Sequence, residues 1–219
     1  MQSIEAKYNQ LCNHPSDINE HLPTFMFYAK QCNRILETGV RGCVSSWAFC
    51  HGLLQNNTEN KKYLLLNDIE QCPIDELQTA TSELNIEIDY QWCNNLDLDL
   101  DITENFDLVF IDTWHVYGQL KRELAKFAPK TNKWIIMHDT TVDEYYGESL
   151  RCMFDIKKQM EQTGFTRDEI GKGLKFAIDE FIENNSNWRV REKFVNNNGL
   201  TVLERIGGNL RFPPYHPPL

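Results

Sequence analysis

The chain has 219 residues, 41% hydrophobic and 11% aromatic, enough apolar material for one well-buried domain and little more. With 32 acidic against 22 basic residues it carries a formal charge of −10, which disfavours DNA or RNA as a partner. No apolar run approaches the ~18 residues of a membrane span, and the opening MQSIEAKYNQ lacks the basic-then-apolar order of a signal peptide.

The seven cysteines show no CxxC pair and no zinc-ribbon spacing, so a reducing, cytoplasmic setting is expected. Residues 1–31 read as a polar, amphipathic helical cap, interrupted at His14-Pro15 and Leu22-Pro23. The chain then alternates between short apolar runs and helical periodicity. Strands are predicted at 34–38, 62–66, 86–92, 106–111 and 133–137. Helices are predicted at 45–54, 74–84, 117–127 and across a long region, 142–164. Runs such as LVFI and WIIM are continuously apolar, as strands buried on both faces of a parallel sheet must be.

After these come an amphipathic helix at 173–184 and two strand-like segments, 188–195 and 200–205, joined by Asn196-Asn197-Asn198-Gly199. Asn and Gly tolerate positive φ, so this composition predicts a hairpin. The expected architecture is α/β: a Rossmann-like, doubly wound, mostly parallel seven-stranded sheet ending in an antiparallel hairpin. One domain spans 1–206, and 207–219 form a Gly- then Pro-rich tail. The hairpin and tail are candidate contacts of a homodimer.

Five strand ends hold the candidate chemistry. The first is RILETGVRGCVSSW (34–47), a strand, an acid, two glycines and a helix start. Gly39 allows a sharp turn and close ligand approach, Gly42 permits tight helix–strand packing, and Ser45 can cap the helix. Glu37 at the strand end would repel a pyrophosphate and suits a ligand carrying an ammonium and a sulfonium. The second strand ends in YLLLNDI, placing Asp68 where a ribose diol needs an acid. Asn94, in the Cys93-Asn94-Asn95 turn, offers an amide to an adenine edge.

The most informative block is FDLVFIDTWHVY (106–117), where a strand ends in Asp112 and His115 follows three residues on. The next strand, WIIMHDTT, ends in His138-Asp139. In an open α/β sheet these ends face the ligand crevice. Carboxylates there can hold a divalent cation such as Mg²⁺, which acidifies a substrate hydroxyl while a base, His115, removes its proton.

Taken together, ILETGVRGCVSSW, FDLVFIDTWHVYGQLKREL, WIIMHDTT, GLKFAIDEF and NNNGLTVLER resemble class I S-adenosylmethionine-dependent methyltransferases. The similarity is to a branch of sugar and antibiotic O-methyltransferases and cephalosporin hydroxylase-like proteins, over roughly residues 33–206. The resemblance implies S-adenosylmethionine bound by Glu37, Gly39, Gly42, Ser45, Asp68, Asn94 and Asp112. It implies catalysis by His115 and Asp112, and a cation on Asp112 and Asp139. Thr140 stands where catechol O-methyltransferase-like enzymes place an Asn ligand, which leaves His138 as the third candidate. The expected partner is a hydroxyl acceptor, a sugar or glycan first and a phenolic small molecule second. Two alternatives stay open: an iron oxygenase using Asp112, His115 and His138, and a non-catalytic binding module on the same fold.

Overall fold

Five short runs, each too short for a helix and bounded by turn residues, pair side by side in parallel, with Ile86–Trp92 at one edge of the sheet. The computed structural model describes residues 3–100 and 105–207; the expected tail, 207–219, lies outside them beyond residue 207. The strands are β1 (Arg34–Thr38), β2 (Lys62–Asp68), β3 (Ile86–Trp92), β4 (Phe106–Ile111), β5 (Thr131–His138), β6 (Trp188–Phe194) and β7 (Leu200–Arg205). They lie in the order β3-β2-β1-β4-β5-β7-β6. Pairing from β3 through β5 is parallel, and β7 is antiparallel to both β5 and β6. The doubly wound sheet with its hairpin is therefore present as expected. The order reverses between β1 and β4, the switch point at which such sheets bind ligands.

Two apolar layers hold the sheet. One face packs Ile35, Leu64, Phe110 and Trp134 against α2 (Leu22–Ala29) and α3 (Val44–Leu54), with α1 (Ile4–Cys12) outside. The other packs Leu36, Val109 and Ile135 against α5 (Tyr117–Phe127) and α9 (Leu174–Asn184). The N-terminal cap thus supplies one wall of the core: Leu22, Phe25 and Tyr28 are fully buried. Trp134 is a core residue as well. α4 (Asp75–Thr81) is shorter than its predicted span.

The long helix expected over 142–164 does not form. This stretch holds α6 (Glu148–Arg151) and α7 (Ile156–Thr163), followed by α8 (Arg167–Gly171). The breaks have local causes. Gly147 turns into α6, Met153 adopts φ 54°, and Gly164 ends α7 at φ 72°. No helix among the described residues is long and apolar enough to cross a membrane.

Candidate active site

Parallel strands deliver their last residues to one edge, and here four of those ends are acidic. Glu37 lies in β1, Asp68 closes β2, Asp112 follows β4 and Asp139 follows β5. The ladder extends one residue past the strands: Gly39 N–H donates to Asn67 O and Asp112 N–H to Thr38 O, both at 2.9 Å. Asp112 is thereby held beside the β1 turn.

Gly39 makes the sharp turn expected of it, but it, rather than Gly42, is the position of close packing. A Cβ on Gly39 would stand 1.7 Å from the Asp112 carbonyl oxygen, and φ is +85°. Gly39 is the position of close packing, where the first and fourth strand ends meet. A Cβ on Gly42 would meet nothing within 4 Å, so the open approach to the turn is on that side. Ser45 does not cap α3. The N-cap position is Cys43 at φ 61°, and the Ser45 hydroxyl donates to Glu37 Oε1 in a very short hydrogen bond.

Glu37 is wholly buried, and its Oε2 has no hydrogen-bond partner. Burial raises its pKa to about 8; Asp112 and Asp68 push the same way, against hydrogen bonding from Ser45 and Ser46. A buried carboxyl flanked by two further acids ionises more readily when a cation lies against it. An ammonium or sulfonium fits it, and a pyrophosphate does not.

Asp68 is committed first to the backbone. Its oxygens accept from Arg41 N–H at 2.9 Å and Glu70 N–H at 2.8 Å, pinning the glycine turn. Asn94 is exposed and caps a short 3-10 turn by accepting from Leu96 N–H. Its neighbour Asn95 is buried and donates to Glu123 Oε1 at 2.6 Å, beside Thr113 and Gln119 on the same oxygen. That network ties the β3 and β4 loops together.

At the β4–β5 end a tight acid–imidazole cluster forms. His115 Nε2 lies 3.1 Å from Asp112 Oδ1, and its Nδ1 lies 3.0 Å from Asp139 Oδ2, 3.5 Å from Asp143 Oδ2 and 3.7 Å from Glu148 Oε2. His138 Nδ1 lies 3.3 Å from the same Asp112 oxygen and 3.4 Å from Asp139 Oδ1. Arg151 grips Asp143 with two hydrogen bonds, 2.6 and 2.9 Å. Asp139 sits at φ 56°, an uncommon conformation for a residue with a side chain, held by Asp143 N–H donating to Asp139 O.

The charges in this cluster are set by mutual pairing. Burial acts to raise Asp112, but hydrogen bonds from His115 and His138 outweigh it and hold the carboxyl well below its usual range. Burial likewise opposes charge on His115, yet Asp112, Asp143 and Asp139 raise it well above an ordinary imidazole. These neighbours favour the charged, imidazolium form of His115. Burial raises Asp139, whose Oδ1 is buried without a hydrogen bond.

Two groups among the described residues bring potential ligand atoms within 4.8 Å of one another: Asp112–His138–Asp139 and His115–Asp139–Asp143. The first is the expected metal set. The oxygenase set of Asp112, His115 and His138 is not among them. Thr140 turns away, accepting from Thr201 Oγ1 within the core. Asp139 Oδ1, buried without a hydrogen bond and 3.4 Å from His138 Nδ1, is what a cation would satisfy. A mixed imidazole–carboxylate set suits Mn²⁺ or Zn²⁺ better than Mg²⁺, which prefers oxygen alone.

Asp143, Glu148 and Arg151 were not among the residues singled out from sequence. The available signal was the spacing of Asp143, four residues after Asp139, which places both on one turn. Trp114 stacks on Phe165 at 17° and donates to Ser149, forming a loop wall beside the cluster. Tyr145 and Tyr146 stand exposed after Asp143.

No protein-family model matches the sequence, and no curated protein does. Solved structures match across nearly the whole chain. The tomaymycin-synthesis O-methyltransferase TomG from Streptomyces achromogenes, in complex with S-adenosylmethionine, is 15% identical with a TM-score of 0.52, covering 94% of this chain and 91% of that one. A putative caffeoyl-CoA O-methyltransferase from Staphylococcus aureus is 15% identical, with a TM-score of 0.54 and coverage of 94% and 93%. The methyltransferase PaMTH1 from Podospora anserina, bound to S-adenosylhomocysteine, is 14% identical, with a TM-score of 0.54 and coverage of 93% and 88%. The chain has the fold of the class I S-adenosylmethionine-dependent O-methyltransferases.

Proposed function

We propose that this protein is an S-adenosylmethionine-dependent O-methyltransferase acting on a hydroxyl of a small acceptor, with a divalent cation assisting. The observation that carries this reading is the Glu37 carboxyl at the switch point of a methyltransferase-type sheet, its Oε2 buried without a hydrogen-bond partner and its pKa raised by burial, with Asp112 and Asp68 acting the same way. When bound, the cofactor supplies an electrophilic methyl group on a sulfonium sulfur. Glu37 and Asp112 neutralise its positive charge, Asp68 faces the ribose with its free lone pairs, and the open side of Gly42 admits the ligand. Holding donor and acceptor in a near-attack pose supplies several kcal/mol of the barrier, on the order of 7 or more in well-oriented systems.

Asp112, His138 and Asp139 would hold the cation, which would supply Lewis acidity toward the acceptor hydroxyl. His115 has two states in this scheme. As an imidazolium it orients Asp112 and Asp139. Once its proton has left, it is the base that takes the hydroxyl proton. Glu148, half-buried and 3.7 Å from His115 Nδ1, connects that proton to solvent. Tyr145 and Tyr146 present aromatic faces to the acceptor, which suit a sugar ring first and a phenol second.

Calorimetric titration with S-adenosylmethionine tests the cofactor. Transfer of labelled methyl to sugar and phenolic hydroxyls, with Mn²⁺, Mg²⁺ or a chelator, tests the chemistry. Saturable cofactor binding with label in an ether product is expected; a chain that binds neither S-adenosylmethionine nor S-adenosylhomocysteine refutes the proposal.

A further inference from the structure

His138 is the innermost member of the acid–imidazole cluster, 1% exposed, and one ring nitrogen faces away from the acids. Its Nε2 lies 3.1 Å from the Asn197 carbonyl oxygen, while Nδ1 faces Asp112 Oδ1 and Asp139 Oδ1. A carbonyl can only accept, so Nε2 bears the hydrogen. When the ring is neutral its single lone pair is then on Nδ1, directed at the two carboxylates.

The carbonyl that selects this tautomer is itself held by the N-terminal cap. Because β7 returns antiparallel to β5, the turn preceding it lies beside the carboxyl end of β5, with Leu200 opposite His138. Asn197 adopts φ 45° in that turn. Its side chain accepts from Glu20 N–H at 3.1 Å and donates to Ser16 O at 2.9 Å. His21, also 1% exposed, donates from Nε2 toward Asn196 O at 3.1 Å and Asn197 O at 3.2 Å. The His21 ring meets the His138 ring edge-on, centroids 5.7 Å apart. On the far side of the turn, Thr141 and Val142 N–H groups donate to Asn198 O at 2.9 and 3.0 Å.

Two buried histidines thus share one carbonyl, and both hold it in place. We infer that Asn197 and His21 are positioning residues that lock His138 as its Nε2–H tautomer and make Nδ1 a nitrogen donor for a divalent cation. The N-terminal cap is then a part of the metal site without touching the metal. The inference rests on the reading of Asp112, His138 and Asp139 as a cation site. Ring hydrogen bonds of this kind orient metal-binding histidines, and their loss costs about 10- to 100-fold in metal affinity.

The test uses the full chain with ¹⁵N-labelled histidine, the His138 signals being assigned with His138→Gln. Zn²⁺, which is diamagnetic, is the probe. In the wild type, long-range ¹H–¹⁵N spectra should show a slowly exchanging proton on Nε2 both without and with Zn²⁺, and Zn²⁺ should shift Nδ1. Asn197→Gly keeps the left-handed backbone and removes both side-chain tethers; His21→Phe keeps the ring and removes its donor. Each should speed exchange of the His138 Nε2 proton at least about 10-fold and weaken Zn²⁺ binding about 10- to 100-fold. S-adenosylmethionine affinity should stay within about twofold, a result that general loosening of the fold would not give. A bare Nε2 in the wild type, or Zn²⁺ binding of wild-type strength in both variants, overturns the inference. A wild type that takes up no Zn²⁺ sinks the cation-site reading instead, and the Nε2 proton of the metal-free protein separates the two failures.

Discussion

Replacing Glu37 by Gln keeps shape and removes charge, and the consequences have opposite signs for stability and for ligand binding. The carboxyl is wholly buried, with a pKa of about 8 against 4.5 for the free side chain. A group whose folded pKa is raised favours the fold below its unfolded pKa and loses that contribution as pH rises through the folded value. The wild type therefore weakens between pH 4.5 and 8 relative to Glu37→Gln, by up to about 5 kcal/mol at 1.36 kcal/mol per pH unit. Even half of this separates the melting temperatures by about 5–10 °C for a chain of this size. The two proteins should melt together near pH 5, and the variant should melt higher at pH 9.

Cofactor binding should move the other way. A cation about 4 Å from a carboxylate gains roughly 4 kcal/mol at an effective dielectric of 20. Ionising Glu37 at pH 7.5 costs about 0.7 kcal/mol of that. Some 3 kcal/mol remain, so the variant should bind S-adenosylmethionine about 100-fold more weakly. Calorimetric titration at pH 7.5 measures this directly. A Glu37→Gln protein that binds within twofold of the wild type would show that the cofactor's charge does not meet this carboxylate.

Other perturbations separate packing from chemistry. Gly39→Ala drives a methyl group into the Asp112 carbonyl at φ +85° and should cost at least about 3 kcal/mol in denaturant melts. Gly42→Ala, facing open space, should leave stability within about 0.5 kcal/mol and weaken cofactor binding alone. Asp143→Asn breaks the bidentate pair with Arg151; because Arg151 is 39% exposed, the loss should be only about 2 kcal/mol. Burial opposes the Asp143 charge, but His115 and Arg151 hold its pKa below the usual value, so its stabilisation is present at neutral pH and lost on acidification. The variant's acid limb should accordingly be flatter than the wild type's. Tyr146→Ala, at a side chain 71% exposed, should raise the acceptor KM several-fold and leave the S-adenosylmethionine Kd unchanged, as read from initial rates and titration.

The sequence by itself determined the alternation of elements and the chemistry at the strand ends. The bounds of β1, β3, β4, α5 and β7 coincide with the predicted spans, because continuous apolar runs and 3.6-residue periodicity are local signals. The four acids were legible for the same reason, since each stands at the last turn of a recognisable strand. The long helix over 142–164 was misread because periodicity alone does not reveal where Met153 and Gly164 reverse the backbone.

Tertiary structure alone decided how these parts bear on one another. Ser45 faces Glu37 instead of the helix end, and Gly39 rather than Gly42 is the close-packed glycine, because both depend on how closely the β4 end approaches the β1 turn. The charged form of His115 is favoured because Asp112, Asp143 and Asp139 converge on it, and electrostatics depend on distance through space rather than spacing along the chain. The meeting of His21, His138 and Asn197 follows from the antiparallel return of β7, a pairing of distant segments that no local pattern encodes.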